Sequence, residues 1–220
     1  MKDIVSYTNP KSIVSESIKI LRTNLQFSGV DNALKTLMIT SSIPGEGKSF
    51  TTSNLAVAYA ALGMKVLIVD CDMRRGTQHR QFTMSNNYGL SDLMIDSEVN
   101  YEKYIKQTKA EGVDIIVAGT VPPNPSELLS SKKFEKLVED VKEMYDLVIF
   151  DAPPVTVVPD ATIIATKVDK TVIIARAKVT PMDQLEVTKK MLESVGANIA
   201  GVVFNGVKVS GKKYYGKYYN

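Results

Sequence analysis

Nine consecutive residues in the first quarter of the chain combine glycine, lysine and serine in a pattern suited to binding phosphate. They read S-S-I-P-G-E-G-K-S over residues 41–49, between a β-branched run and a helical stretch. The two glycines let backbone N–H groups turn inward around phosphate oxygens, and the following helix adds its positive end. Lys48 would neutralise the β- and γ-phosphates of ATP, and the Ser49 hydroxyl would be a ligand of Mg²⁺. The segment therefore predicts a P-loop whose nucleotide contacts come from Pro44, Gly45, Glu46, Gly47, Lys48, Ser49 and Phe50.

Three aspartates at the ends of apolar runs supply the acidic groups that such a site needs. Asp70 and Asp72 end the run L-I-V-D-C-D-M-R, and Asp151 ends L-V-I-F-D-A-P-P. Residues separated by one position in an extended chain point the same way, so the first two carboxylates should act together. Carboxylates there can hold magnesium-bound water and orient or deprotonate a hydroxyl, whereas the simpler alternative is that they cap the following turn. Because three acids and a P-loop converge, we expect Lys48, Asp70, Asp72 and Asp151 to be catalytic, and Ser49 and the three aspartates to hold the metal.

A parallel sheet with helical crossovers is the architecture that would bring these groups to one edge. Short β-branched runs alternate with helical stretches, which predicts a doubly wound, mostly parallel α/β fold with ligands beyond the carboxyl ends of the strands. The predicted strands are Thr36–Thr40, Lys65–Asp70, Val113–Ala118, Leu147–Asp151, Thr171–Ala175 and Ile199–Phe204. Helices are predicted at about 49–62, 132–144, 158–166 and 181–194.

An additional helix is predicted ahead of the first strand, over about residues 12–27. Val14, Ile18, Leu21 and Leu25 recur at helical spacing and should form the apolar face that packs on the body. Glu16 then lies on the opposite side, with Lys19 and Arg22 between that side and the flank. This E-x-x-K-x-x-R stripe is available to a partner, although spacing alone equally fits an ordinary solvated helix face.

The composition fits one compact domain in a reducing compartment. The chain has 220 residues, of which 44% are hydrophobic and 23% charged. It has no apolar run near the roughly 20 residues that span a bilayer and no signal-like N-terminus, so we expect a cytoplasmic protein. Its single cysteine, Cys71, cannot form an internal disulfide and is expected in the core, and His79 is expected in a solvated loop.

The basic charge of the chain belongs to its last segment. We predict a domain over residues 1–206 and a flexible tail over residues 207–220, which contains four lysines and no acid. The formal net charge of the whole chain is +3, so the body carries −1 and gives no reason to expect a nucleic-acid surface. The tail also holds four tyrosines among its lysines and glycines: Tyr214, Tyr215, Tyr218 and Tyr219.

These motifs together resemble the bacterial tyrosine kinases of capsule and exopolysaccharide synthesis. The resemblance rests on the P-loop, the D-C-D-M-R strand end, the P-P-N-P-S-E-L-L segment over residues 122–129 and the tyrosine-rich tail, and it covers nearly the whole chain. It implies that Asp70 and Asp72 belong to a second Walker-A-like motif and that Asp151 is the Walker B carboxylate. It also implies that the acceptor of the phosphoryl group of ATP is tyrosine. We expect one subunit to phosphorylate the tail tyrosines of a neighbouring subunit. Asn205, after the last strand, is expected to contact adenine.

The same resemblance implies a set of partners. Glu16, Lys19 and Arg22 match a stripe associated with packing of subunits into a ring, with lysine in place of the family's central arginine. Members from Gram-positive bacteria are separate kinases, which implies recruitment to the inner face of the membrane by a membrane-embedded activator that modulates chain length. A cognate tyrosine phosphatase is also implied, as is a role in regulating polysaccharide synthesis and export.

Two alternative functions are consistent with parts of the pattern. A partitioning or division-site ATPase of the ParA and MinD type shares the fold and aspartates, but it carries a second lysine at the position of Ile43 and commonly ends in an amphipathic helix. A nucleotide-binding regulator without chemistry of its own would not need Lys48, Ser49 and three aspartates together. Both comparisons favour the kinase.

Overall fold

A central sheet with helices on both faces forms the body of the protein. The structure, a computed structural model, describes residue 1 and residues 4–27, 33–98 and 100–207. The strands of the described part are β1 Thr36–Ser41, β2 Val66–Asp70, β3 Lys106–Gln107, β4 Val113–Ile116, β5 Leu147–Asp151, β6 Lys170–Arg176 and β7 Ile199–Asn205. Its helices are α1 Val5–Thr8, α2 Ile13–Phe27, α3 Lys48–Ala60, α4 Gln78–Gln81, α5 Leu90–Ile95, α6 Pro125–Ser130, α7 Lys132–Met144, α8 Asp160–Ala165 and α9 Met182–Ser194, with a 3-10 turn at Tyr101–Lys103.

The order of the strands confirms the predicted doubly wound architecture. Across the sheet the order is β3-β4-β2-β5-β1-β6-β7, and only the short edge strand β3 runs antiparallel to its neighbour. β1 pairs with β5 on one side and β6 on the other, so the strands before and after it in the sheet lie far from it in sequence. The carboxyl ends of β1, β2 and β5 are therefore neighbours at one edge, where ligands bind in this class of fold.

The central strands are buried on both faces because helices cover the sheet on each side. Along β1, Leu37 and Ile39 belong to a core shared with α2 and α3, whereas Met38 between them belongs to a second core shared with α5 to α9. This alternation follows from the two-residue period of a strand. Because both faces of each central strand are buried, the sequence of the strand is apolar almost throughout.

Tertiary contacts set the element boundaries that differ from the predicted ones. The third predicted strand was expected to continue to Ala118, but β4 ends at Ile116. The carbonyls of Val117 and Ala118 accept hydrogen bonds from the N–H groups of Leu90 and Ser91, at 2.7 and 3.0 Å. The backbone of these two residues therefore bonds to the first turn of α5 and no longer pairs with a neighbouring strand. The short elements α1, α4, α5, α6 and β3 were not predicted, because segments of two to six residues carry too little periodicity.

The buried face of α2 differs from the predicted face at its first turn. Ile18 and Leu25 are buried as expected and Leu21 is partly buried, but Val14 is 42% exposed and Ser15 is 1% exposed. The Ser15 hydroxyl donates a hydrogen bond to the carbonyl of Asn9 at 2.7 Å, and this contact fixes the serine against the turn that precedes the helix. The assignment of Val14 to the packed face was wrong for this reason.

The charged stripe of α2 is partly used within the chain. Glu16 and Lys19 form an intrahelical ion pair at 2.8 Å, and Lys19 also donates to the carbonyl of Pro10. Arg22 lies against the body, where its Nη1 donates to the carbonyl of Ala58 in α3 at 2.7 Å and its Nε is buried. Arg22 therefore lies in the helix-packing seam of this chain, and the prediction of an intersubunit stripe remains a prediction.

No helix in the described ranges is both long enough and apolar enough to cross a bilayer.

Arg22→Ala is expected to destabilise the fold by about 1–2 kcal/mol, because it removes a charge-assisted hydrogen bond that joins α2 to α3. Lys19→Ala is the matched control and should change the free energy of unfolding by less than about 0.5 kcal/mol, since it loses an exposed ion pair. Guanidinium denaturation at a concentration where light scattering gives a monomer would measure both. Equal stability of the two variants would show that Arg22 does not hold α2 in place.

Candidate functional site

The P-loop connects the end of β1 to the start of α3 and takes the backbone shape that cradles an anion. Gly45 and Gly47 have φ angles of 82° and 96°, in the left-handed region that favours glycine. A Cβ on Gly47 would lie 1.9 Å from Nδ2 of Asn205, so a side chain at this position would also displace that amide from the loop. Lys48 and Ser49 then begin α3 at its positive end. The predicted strand, loop and helix are all present.

The side chain of Glu46 points beneath the loop and braces it. It is fully buried, its Oε2 accepts from the N–H of Ile43 at 2.9 Å, and its Oε1 accepts from the hydroxyl of Thr180. Thr180 lies just before α9, so the carboxylate ties the loop to the segment after β6. Glu46 was predicted to contact nucleotide, and this placement leaves only its backbone for such a contact.

Asn205 and Arg176 brace the loop from the ends of the two outer strands. Nδ2 of Asn205 donates to the carbonyl of Glu46 at 3.0 Å, and Nη1 of Arg176 donates to the carbonyl of Gly45 at 3.2 Å. Asn205 was predicted to contact adenine, and the structure places it beside the loop at the end of β7. The adenine contact itself remains a prediction.

Asp70 and Asp151 form a pair of buried carboxylates at the sheet edge. They are register partners on the neighbouring parallel strands β2 and β5, and they are 0% and 1% exposed. Asp70 accepts from the N–H groups of Asp72 and Gln78, at 3.3 and 3.0 Å. Asp72 is partly buried, and its Oδ1 accepts from the N–H of Arg75 at 2.9 Å. The structure brings these aspartates to one edge of the sheet, where Asp70 and Asp72 cap the turn after β2. Their catalytic and metal-binding roles remain predictions.

The electrostatics of this pair oppose ionisation. Burial, with the neighbouring Asp151 charge, holds the pKa of Asp70 well above its ordinary value, and the Gln78 N–H counteracts this only in part. Burial also raises the pKa of Asp151, against the opposing influence of the Lys48 ammonium and the Ser49 hydroxyl. Ionisation of these two carboxyl groups is therefore unfavourable unless cations lie nearby, and the ammonium of Lys48 is one such cation.

Thr77 and Gln78, which the motif analysis did not identify, connect the acids to the P-loop. The Thr77 hydroxyl donates to Oγ of Ser49 at 2.8 Å. Nε2 of Gln78 donates to Oδ2 of Asp151 at 2.7 Å and to the carbonyl of Ser49 at 3.2 Å. No sequence signal could reveal this, because both residues lie in a polar stretch without periodicity.

A nucleotide with its metal fits the residues present. An open cleft of about 760 Å³ adjoins the P-loop and is lined by Pro44, Lys48, Phe50, Asp72, Pro153 and Val157. Oδ1 of Asp151 is buried and has no hydrogen-bond partner within the described part of the chain, which fits a water or ion ligand at that oxygen. No three acidic, cysteine or histidine side chains of that part are placed to hold a metal ion by themselves. The prediction that Ser49 and the three aspartates hold a metal ion remains a prediction.

The segment P-P-N-P-S-E-L-L meets the turn after β2 and the start of α8 through a polar cluster. Ser126 in α6 donates to Oδ1 of the fully buried Asp160 at 2.5 Å, and Nε of Arg74 lies 3.6 Å from the other oxygen of Asp160. Arg74 lies two residues after the D-C-D motif. The cluster therefore fixes the α6 segment relative to the candidate active site.

The remaining predicted residues have mixed outcomes. Cys71 is buried in the core as expected, and burial raises the pKa of its thiol. His79 was expected in a solvated loop, but it lies in α4 with a buried Nδ1, and burial with the nearby Arg80 lowers its pKa. The four tail tyrosines lie outside the described residues.

Comparison with known proteins gives consistent matches. Residues 34–199 match the family model described as AAA domain. The tyrosine-protein kinase YwqD of Bacillus subtilis strain 168 is 38% identical over 217 residues, which are 99% of this chain and 91% of that protein.

Solved structures agree in both fold and sequence. The chimerical protein CapA2B2 superposes with a TM-score of 0.90 at 38% identity, covering 95% of this chain and 92% of that one. The kinase domain of Escherichia coli tyrosine kinase ETK gives 0.90 at 36% identity, covering 96% and 83%. The septum site-determining protein MinD of Pyrococcus horikoshii, complexed with Mg-ADP, gives 0.65 at 24% identity over 77% of this chain and 69% of that one, which shows a shared fold alone.

Asp151→Asn is expected to stabilise the metal-free protein at pH 7 while removing a site carboxylate. The amide keeps an oxygen for Gln78 and no longer carries a buried charge. Because the folded-state pKa lies above the ordinary 3.8, ionisation opposes folding, and the penalty grows as the pH rises through this interval. The gain in melting temperature should be roughly 2–8 °C at pH 7, and it should vanish below about pH 3.8.

Thermal unfolding in EDTA at several pH values would measure this gain. A melting temperature that falls at pH 7, or a gain that persists at pH 3, would contradict the interpretation of Asp151 as a destabilised buried carboxylate.

Proposed function

The chain belongs to the bacterial tyrosine-protein kinases, and on that premise we propose that it transfers the γ-phosphoryl group of ATP to tyrosines of its own C-terminal segment. The observation that carries the proposal is the unpartnered, buried Oδ1 of Asp151 beside a preformed P-loop. A hydrated cation beside the bound nucleotide would give that oxygen a ligand.

The residues of the P-loop and its neighbours would hold the substrate. The backbone of residues 44–49 and the Lys48 ammonium would bind the phosphates, and the cleft wall formed by Pro153 and Val157 offers an apolar surface for the rest of the nucleotide. Ser49 and Asp151 would hold magnesium, directly or through water. When bound, magnesium neutralises charge that develops on the β- and γ-phosphates.

The transfer step would need a group that orients the acceptor. Asp72 is the suitable acid, because it lines the cleft and is only partly buried, whereas both oxygens of Asp70 already accept backbone N–H groups. The tyrosine oxygen would form the new bond to the γ-phosphorus, the bond from that phosphorus to the β–γ bridging oxygen would break, and ADP would leave. Asp72 would accept the hydroxyl proton, and Lys48 would stabilise the charge on the transferred group.

The tail tyrosines are proposed as acceptors from a neighbouring subunit. Lysines among them would be attracted to the acidic edge of another copy before reaction. Each phosphate then adds about −1.5 to −2 charges at pH 7, so several of them outweigh four lysines and favour release. This requires a homo-oligomer, and Glu16 and Lys19 are the exposed members of the predicted stripe that a second copy could contact.

The cellular role proposed is regulation of capsular or exopolysaccharide synthesis and export. The match along nearly the full length of a relative solved as the chimerical protein CapA2B2 supports a two-component arrangement. We therefore propose recruitment from the cytoplasm to the membrane by a membrane-embedded activator, with reversal by a tyrosine phosphatase. A partitioning ATPase is supported only by the shared fold, and Ile43 occupies the position of the lysine that such ATPases carry.

Lys48→Met is expected to lower tyrosine phosphorylation by about 100-fold or more while leaving the fold intact. The lysine begins α3 at the cleft and fills no part of the core, so its loss removes charge stabilisation alone. Incubation with MgATP, an anti-phosphotyrosine assay and circular dichroism would measure it. A folded variant with normal labelling would remove Lys48 from the site, and an unlabelled wild type at high concentration would overturn the proposed self-phosphorylation.

Phosphorylation between subunits is tested by mixing two chains that each lack one half of the reaction. Lys48→Met supplies an intact tail, and a chain truncated after Lys208 supplies an intact site. The Lys48→Met chain should become labelled. The mass of the assembly measured by light scattering should then fall, because the modified tail is released from the neighbouring subunit. Labelling of wild type alone but none in the mixture would confine the reaction to one subunit, and an unchanged mass would exclude the release step.

A further inference from the structure

Gln78 lies at the point where the two acidic strands and the P-loop helix meet, and its side chain is fully buried. It follows the turn after β2 and begins α4. From this position its backbone N–H reaches Asp70 and its side chain reaches Asp151 and the first turn of α3. One residue therefore contacts all three parts of the candidate active site.

The side-chain amide of Gln78 is only half satisfied within the fold. Its Oε1 is buried with no hydrogen-bond partner among the residues that the structure describes. An unpaired buried carbonyl costs roughly 1–3 kcal/mol, which offsets much of what the two hydrogen bonds donated by Nε2 contribute to stability. Retention of a costly polar group at a site of chemistry is typical of a functional constraint.

The contacts of the amide determine what Asp151 can offer. Nε2 has two hydrogens, and one goes to Oδ2 of Asp151 at 2.7 Å while the other points to the Ser49 carbonyl at 3.2 Å. Oδ2 is thereby occupied and Oδ1 is left without a partner. The orientation of the carboxylate is set relative to α3, because the same amide is anchored on the residue that carries the predicted metal-binding hydroxyl.

We infer that Gln78 is a positioning residue for metal-dependent nucleotide binding, which holds the Asp151 carboxylate so that its free oxygen faces the magnesium position beside Ser49. The inference rests on the proposed function, in which Asp151 and Ser49 hold magnesium. Gln78 itself touches neither the nucleotide nor the reacting atoms. Its neighbour Thr77 supports the same assembly through the hydrogen bond to the Ser49 hydroxyl.

Gln78→Met separates positioning from folding, because it keeps the length of the side chain and removes both amide contacts. Isothermal titration calorimetry with ADP would be run once with Mg²⁺ and once with EDTA. The dissociation constant for MgADP should rise roughly tenfold, as is typical when a group that orients a metal ligand is lost. The dissociation constant for ADP in EDTA should stay within about twofold, and circular dichroism should show that the variant is folded.

Two further variants make the result specific. Thr188→Val removes a different buried hydroxyl, which bonds to the Gln184 carbonyl in α9, and should leave both dissociation constants unchanged. Gln78→Leu repeats the test with a second apolar side chain should Gln78→Met fail to fold.

Equal weakening with and without Mg²⁺, or no weakening in a folded variant, would overturn the role of Gln78. Because the titration measures binding, that result leaves the kinase activity itself untouched. A wild type that binds MgADP normally but does not phosphorylate tyrosine would instead overturn the proposed function.

Discussion

The fold is organised around two carboxylates buried side by side at the end of adjacent strands. Asp70 and Asp151 are register partners, and neither is exposed to solvent. Such a pair resists ionisation, so the protein supplies N–H donors from the turn after β2, the amide of Gln78 and the nearby charge of Lys48. The compensation is incomplete in the free chain. A bound divalent cation would complete it, which couples the electrostatics of the sheet edge to nucleotide binding.

The P-loop is held from below as well as shaped by its glycines. Arg176 and Asn205 fasten it to the ends of β6 and β7, the two outer strands on one side of the sheet, and Glu46 fastens it to the segment after β6. A loop fixed in this way presents its N–H groups without reorganisation when an anion arrives, and preorganised donors of this kind supply much of the charge stabilisation in phosphoryl transfer. It also means that movement of the outer strands would reach the phosphate site directly.

Packing of α2 against α3 limits which of its residues a second copy of the chain could contact. Arg22 donates to α3, the helix that begins at Lys48, so any partner that engaged its guanidinium would compete with a contact inside the subunit. Glu16, Lys19 and the exposed apolar residues Ile20 and Phe27 are better placed for a second copy. Contact there would be transmitted through α2 to the helix that carries the nucleotide site.

The sequence by itself determined six of the seven described strands, the long helices, the P-loop and the acids at the strand ends. These features depend on the two-residue period of a strand, the 3.6-residue period of a helix and the conformational freedom of glycine, all of which are local. The family resemblance added the reaction, which no local pattern contains. Apolar spacing correctly located α2, but charge spacing along it could not show that Arg22 turns toward α3.

Only the tertiary structure decided which side chains share the site. The amide of Gln78 meets a carboxylate 73 positions away, and Asn205 meets a loop 159 positions away. The side chain of Glu46, inside the motif itself, faces a threonine 134 positions away. Such pairings follow from the spatial order of the strands in the sheet, which depends on contacts between residues far apart in sequence. Residues that orient the catalytic groups therefore cannot be identified from the sequence alone, whereas the catalytic groups themselves follow a recognisable spacing.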